Sequence, residues 1–188
     1  MKIRFSLFLL VCALLLITFF SSTSCSKAKE LAAFDVTYTF PKVYFSYTAR
    51  DQMKLPEVTL YTGKLAINLD SILSANHIPS GIIASAALSR MAMVITAPPG
   101  ATFNWLESVR MIGSADSTFL NPTNLGSYTV TDPNVTTIDL ALEKVDIKPI
   151  LFKNSYYLRI LATPSGQIPA SSINMYLDSQ IKLHIEPL

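Results

Sequence analysis

The residues able to do acid–base or metal chemistry are few and scattered. There are two histidines, His77 just before Ile78-Pro79 and His184 near the end of the chain. No His-x-His, His-x-x-x-His or Cys-x-x-Cys spacing joins them to further ligands, and zinc needs three or four such donors. Asp132, Asn134 and Asp139 fall within TDPNVTTID, and SAD adds Asp116. Neither stretch has the ordered twelve-residue oxygen ladder of a calcium loop. Both read as turns in which Asp and Asn bond their own backbone. Serines are plentiful, but none stands in a Gly-x-Ser-x-Gly elbow. Glu107, beside Trp105 in NWLE, is the acid in the most apolar setting. Glycoside hydrolysis would require two carboxylates to flank one bond, and no spacing here orders such a pair. The residues therefore imply no catalytic constellation, no cofactor and no resident metal.

Aromatic residues carry more signal. Tyr38, Phe40, Tyr44, Phe45 and Tyr47 crowd one short region, and Tyr156 and Tyr157 adjoin later. Alternate members must fill a core, yet YFSY holds too many rings for all to face inward. Tyrosine joins an apolar body to a polar tip and suits half-exposed surfaces. Tyr38, Tyr44, Tyr47, Tyr156 and Tyr157 form the candidate contact surface.

Strands must position these rings. FDVTYTF (34–40) alternates with period two, and KVYFSYT resumes after Pro41. EVTLYTGKLAINL, ALSRMAMVITAP, VTTIDLAL, SYYLRILATP and NMYLDSQIKLHIEP follow. In the last, Ile181, Leu183 and Ile185 alternate with Lys182, His184 and Glu186. Helix is scarce: DSILSANHI (70–78) with an Asp cap, TFNWLESV (102–109) with a Thr cap, and GIIASAAL (81–88), either a short helix or the start of a strand. TAPPG, LNPTNLG, TDPN and TPSGQIP read as turns. The expected fold is all-β, a two-sheet antiparallel sandwich of roughly eight strands with one to three short helices, and a closed barrel is its rival. The run from Gly81 to Gly100, broken only by Arg90, is a central strand buried on both faces and preceded by a helix, the lining of an apolar pocket, or a surface that docks on a neighbouring subunit.

The first residues suggest a compartment. Lys2 and Arg4 precede FSLFLLVCALLLITFF (5–20), then small polar residues and Cys25. This is the pattern of a secretory signal. The expected organisation is a signal peptide over 1–24, a tether over 25–33 and one β-sandwich domain over 34–188. The chain has 15 basic and 13 acidic residues. Removing Lys2 and Arg4 equalises the two, leaving no basic footprint for nucleic acid. With Cys12 gone as well, Cys25 has no internal disulfide partner.

Ser24-Cys25 after the apolar core resembles the signal of bacterial lipoproteins, although Ser22 stands where an aliphatic residue is usual. Looser signals of this kind resemble those of Bacteroidetes lipoproteins. INLDSILSAN, ITAPPG, FNWLESVRMIGSAD and KNSYYLRILATPSGQIP are also similar in order to uncharacterised Bacteroidetes-type β-sandwich lipoproteins. The resemblance implies acylation of Cys25 and anchorage to the outer membrane. It favours the periplasmic side because no acidic cluster follows Cys25. The function implied is a lipid-anchored, non-enzymatic binding or scaffold protein of the cell envelope. Its partners would be the membrane and an envelope protein, glycan or lipid, without nucleic acid. An envelope hydrolase and a carrier of a lipid or other apolar ligand are the alternatives.

Overall fold

The computed structural model describes residues 33–48, 55–65, 69–79, 82–152, 156–167, 169 and 172–186. The signal segment 1–24, Cys25 and all of the tether except Ala33 lie outside the described residues.

Ten strands and two short helices make the described body. They are β1 (Phe34–Thr39), β2 (Val43–Tyr47), β3 (Val58–Leu65), α1 (Leu69–Ala75), β4 (Ile83–Ala97), β5 (Leu106–Ser114) and β6 (Thr123–Thr129). After these come β7 (Thr137–Asp139), β8 (Ala141–Leu142), α2 (Lys148–Leu151), β9 (Tyr156–Pro164) and β10 (Ile173–Ile185). One sheet, here A, runs β1-β10-β4-β7, with β2 also paired to β10; the other, B, runs β3-β9-β5-β6-β8. Every pairing is antiparallel. The two-sheet antiparallel sandwich expected from the alternation is the observed architecture.

Early strands pair with late ones in nested order: β1 and β2 with β10, β3 with β9, β4 with β7, β5 with β6. A long hairpin wound in this way across two facing sheets is a jelly roll. β10 is its spine. Its odd-numbered residues from Ile173 to Ile185 are all buried, while its even-numbered ones face outward. The core between the sheets includes Met93, Phe103, Val109, Met111, Leu158, Ile160, Ile181, Leu183 and Ile185, each with no exposed area.

Several local expectations change. Of the two readings offered for GIIASAAL, the start of a strand holds from Ile83 on: Ile83–Ala97 is one long strand, and Met91, Ala92 and Met93 are all buried between β10 and β7. A capped helix over 102–109 is replaced by a tight turn, with Leu106 N donating to Phe103 O at 3.0 Å, and then β5. Phe103 and Trp105 are both buried, whereas a helix would place them about 200° apart. LNPTNLG, expected as a turn, supplies the start of β6. In β3 a register shift between Thr59 and Tyr61 changes the phase of the strand: Val58 and Leu60 are buried before it, and Tyr61, Gly63 and Leu65 are half-buried after it.

Candidate contact surface

Parity along β2 decides which aromatic rings reach solvent. Val43, Phe45 and Tyr47 stand opposite the buried Leu177, Met175 and Ile173 of β10. Tyr44 stands opposite Tyr176, and successive side chains on a strand point to opposite faces. Tyr44 is accordingly 68% exposed. Its ring lies 5.6 Å from that of Tyr176 at 56°. Lys42 sets its Nζ 4.1 Å from the Tyr176 centroid, a cation–π distance. Next to the pair, Ser46 Oγ donates to Asn174 Oδ1 at 2.6 Å, and Thr96 Oγ1 donates to the Asn174 carbonyl at 3.1 Å.

The rest of the outer face of sheet A is charged and internally paired. Arg90 reaches Asp178 at 3.1 Å and Asp139 at 3.7 Å. Further along, Asp35 of β1 accepts from Lys182 at 2.6 Å and lies 2.8 Å from His184 Nδ1, while Glu186 is 3.7 Å from His184 Nε2. The Lys182 ammonium, and after it His184, hold the Asp35 carboxyl below its ordinary range. The face thus grades from a neutralised charge lattice to an aromatic corner.

The other expected contact residues lie elsewhere. Tyr47 is 5% exposed and stacks on Trp105, with centroids 5.1 Å apart and planes 6° apart; burial pushes its hydroxyl pKa up. Tyr156 is also 5% exposed, its pKa is driven far up by burial, and its hydroxyl has no hydrogen-bond partner among the described residues. These two offer no surface, because their parity points them between the sheets. Tyr38 is half-buried, edge-on to Phe40 at 5.3 Å. Tyr157 is half-buried on the outer face of sheet B, against a small cluster of Ile112, Phe119 and Leu161. Tyr176, Lys42 and Asn174 were not singled out by the sequence. A tyrosine in phase with Lys182 and His184 on an alternating strand was the signal available.

The acid and histidine candidates stay dispersed. His77 sits just past α1 with φ 55, and His184 belongs to the lattice of sheet A. Asp132 accepts from Asn134 N at 2.9 Å, the turn chemistry expected of it. Asp116 holds a turn of its own in the β5–β6 loop, and Asp139 pairs with Arg90. Glu107 is exposed while Trp105 is 1% exposed, so the two share no environment. Among the described residues, no group of three or more His, Cys, Asp or Glu could hold a metal ion.

No family model and no curated protein matches the chain. Among solved structures, it is similar to that of Desmodium yellow mottle tymovirus, with 16% identity, 83% of this chain and 84% of that one covered, and a TM-score of 0.33. The mud crab tombus-like virus structure gives 9%, 84%, 90% and 0.35. The 60-mer BFDV capsid protein gives 12%, 83%, 95% and 0.36. At these TM-scores the likeness does not extend to what those proteins do.

These similar structures are viral, not lipoproteins, and the kinship expected from the sequence is corrected accordingly. Over the body it rested on strand alternation and turns that any antiparallel sandwich supplies, which could not separate one sandwich family from another; its other support, the Ser24-Cys25 signal, lies outside the described residues. The Bacteroidetes-type assignment goes, and with it the lipid-anchored envelope scaffold, the envelope hydrolase, the apolar carrier and the outer-membrane location. The partner list also goes: membrane through acylated Cys25, envelope protein, glycan or lipid, together with the exclusion of nucleic acid drawn from the charge balance.

Proposed function

We propose that this chain is a non-catalytic protein-binding module. Its contact face is the aromatic corner of sheet A, formed by Tyr44, Tyr176 and Lys42. The observation that carries this reading is the exposure of Tyr44, 68%, on a ring already held against Tyr176. Tyrosines are enriched among the residues that dominate protein interfaces, because a large amphipathic ring is buried at little rotamer cost. Here the corner is also backed by structure: β2 is locked to β10, and Tyr47 of the same strand is stacked on Trp105 behind it. The rings are therefore presented on a stiff platform, which lowers the ordering cost of binding.

A photo-reactive phenylalanine analogue at position 44 of the full chain, in the cells that make it, tests this. The expected result is a discrete protein adduct that Tyr176→Ala diminishes and that the same group at Thr62, on the outer face of sheet B, does not form. No adduct from position 44, an equal adduct from position 62, or indifference to Tyr176→Ala would each overturn the reading.

A further inference from the structure

Asn174 ties three strands together beside the aromatic corner. On β10 it stands opposite Ser46 of β2 and Ala97 of β4. The β4 register shifts next to it, Ala97 pairing with Asn174 and Ile95 with Met175, so Thr96 is the extra residue of a bulge. The Thr96 hydroxyl donates to the Asn174 carbonyl at 3.1 Å, and the Ser46 hydroxyl donates to Asn174 Oδ1 at 2.6 Å. Both oxygens of the residue therefore accept a bond. A side-chain amide held by its oxygen does not turn over, and its nitrogen is left as an oriented donor. Asn174 is exposed, and its Nδ2 makes no hydrogen bond among the described residues.

The rings stand in the next row. Tyr44 and Tyr176 lie two residues further along the same two strands, about 7 Å away, and Lys42 sits over Tyr176. The corner thus gathers donors beside its aromatic rings: the Asn174 amide, two phenolic hydroxyls and the Lys42 ammonium.

Two properties of an occupant follow. It should bring acceptors without matching donors, because an N–H set against the Asn174 amide would leave both unpaired. It should also be uncharged. The carboxylates named on this face, Asp35, Asp139, Asp178 and Glu186, outnumber its cations, Lys42, Arg90 and Lys182, by four to three. An acidic segment would meet that excess. Proline answers both requirements: its tertiary amide has a carbonyl and no N–H. A polyproline II segment also keeps those carbonyls free of internal hydrogen bonds and docks on aromatic side chains.

We propose that the corner binds an extended, proline-rich segment of its partner, and that Asn174 Nδ2 fixes the register by donating to one of the segment's carbonyls. This rests on the corner being the contact face, and it names what that face accepts.

Decaproline flowed over the immobilised full chain tests it. Saturable binding is expected, with a glycine–serine peptide of equal length inert. Asn174→Asp keeps an acceptor for Ser46 but puts an oxygen where the outward donor was, so affinity should fall about tenfold or more. Thermal melting checks that this variant folds. If it does not, Ser46→Ala, which releases the amide to turn, takes its place and should also weaken binding. No binding of decaproline, an equal response to the glycine–serine peptide, or unchanged affinity in the folded variant would each overturn the proposal. In those cases an adduct from position 44 would leave the corner as a contact face with another occupant, whereas no adduct would remove the corner itself.

Discussion

Tyr44 and Tyr47 belong to the same five-residue strand, yet one is 68% exposed and the other 5%. They are separated by three positions, an odd number, so the pleat sends them to opposite faces. One stacks on Trp105 inside the sandwich and the other meets Tyr176 in solvent. Tyr156 and Tyr157 repeat the contrast on β9, where adjacent residues point into the core and onto the outside of sheet B. A tyrosine's task here follows from its parity and not from the clustering of rings in the sequence.

The sharpest way to break the comparison is from the inside. Trp105 is 1% exposed and covers Tyr47, so Trp105→Ala removes an aromatic from the core and leaves a cavity. A loss of about 3–5 kcal/mol is expected, read as a lowered denaturant midpoint with an unchanged slope. A loss below 1 kcal/mol would mean that the stack does not hold the sandwich together.

Tyr156 gives a smaller effect of the opposite sign. Its hydroxyl is buried with no hydrogen-bond partner among the described residues, and its ring lies over Gly113, where a Cβ would fall 2.1 Å from the phenolic oxygen. Tyr156→Phe keeps the ring and deletes the orphaned group, so a gain of about 1 kcal/mol is expected. The same change at Tyr157, half-exposed to water, should leave the midpoint where it is. A destabilised Tyr156→Phe would show that the hydroxyl has a partner after all.

These cases also show what was legible beforehand. The alternation of β10 is written plainly in INMYLDSQIKLHI, and the sandwich follows from several such runs. The segment LNPTNLG reads as a turn because of its proline, asparagines and glycine, yet its last four residues open β6. Gly126 is used there for close approach, since a Cβ on it would lie 2.7 Å from the Ala141 carbonyl oxygen. Such proximity between strands is invisible in local sequence. The contact residues failed differently: period two separates Tyr44 from Tyr47, but only the pairing with β10 says which of them faces out. The β5–β6 loop left no pattern at all, because the packing of Phe119 under Arg159 joins residues 40 positions apart in the chain.

Acid distinguishes the two outer faces. On sheet A, Asp35 is held low by Lys182 and then His184; on sheet B, Asp116 is held low chiefly by the Thr118 hydroxyl and backbone. A carboxylate whose folded pKa lies below its unfolded value, about 3.9, contributes its stabilisation in full above that value. The contribution is lost as pH falls through the folded pKa. Wild-type protein should therefore lose stability below about pH 4 more steeply than Asp35→Asn or Asp116→Asn. Salt separates the pair: added sodium chloride should shrink the Asp35 effect, an exposed ion pair, and spare that of Asp116, whose partners are neutral. Equal salt sensitivity at both positions would erase the distinction.

A small stability effect belongs to the residue with the largest proposed role. Tyr44→Ala removes a ring that is mostly in water and touches Tyr176 on one side only, so the midpoint should shift by no more than about 0.5 kcal/mol. Its β-strand neighbours Val43 and Phe45 keep their places against Leu177 and Met175, and nothing behind the sheet depends on it. The same substitution should nonetheless abolish partner capture from a photo-reactive group placed at Tyr176. Stability preserved while capture is lost marks a side chain kept for contact. A drop of 2 kcal/mol or more, well outside the range for an exposed position, would instead make Tyr44 a structural cover for Tyr176. It would then differ from Tyr47 only in degree.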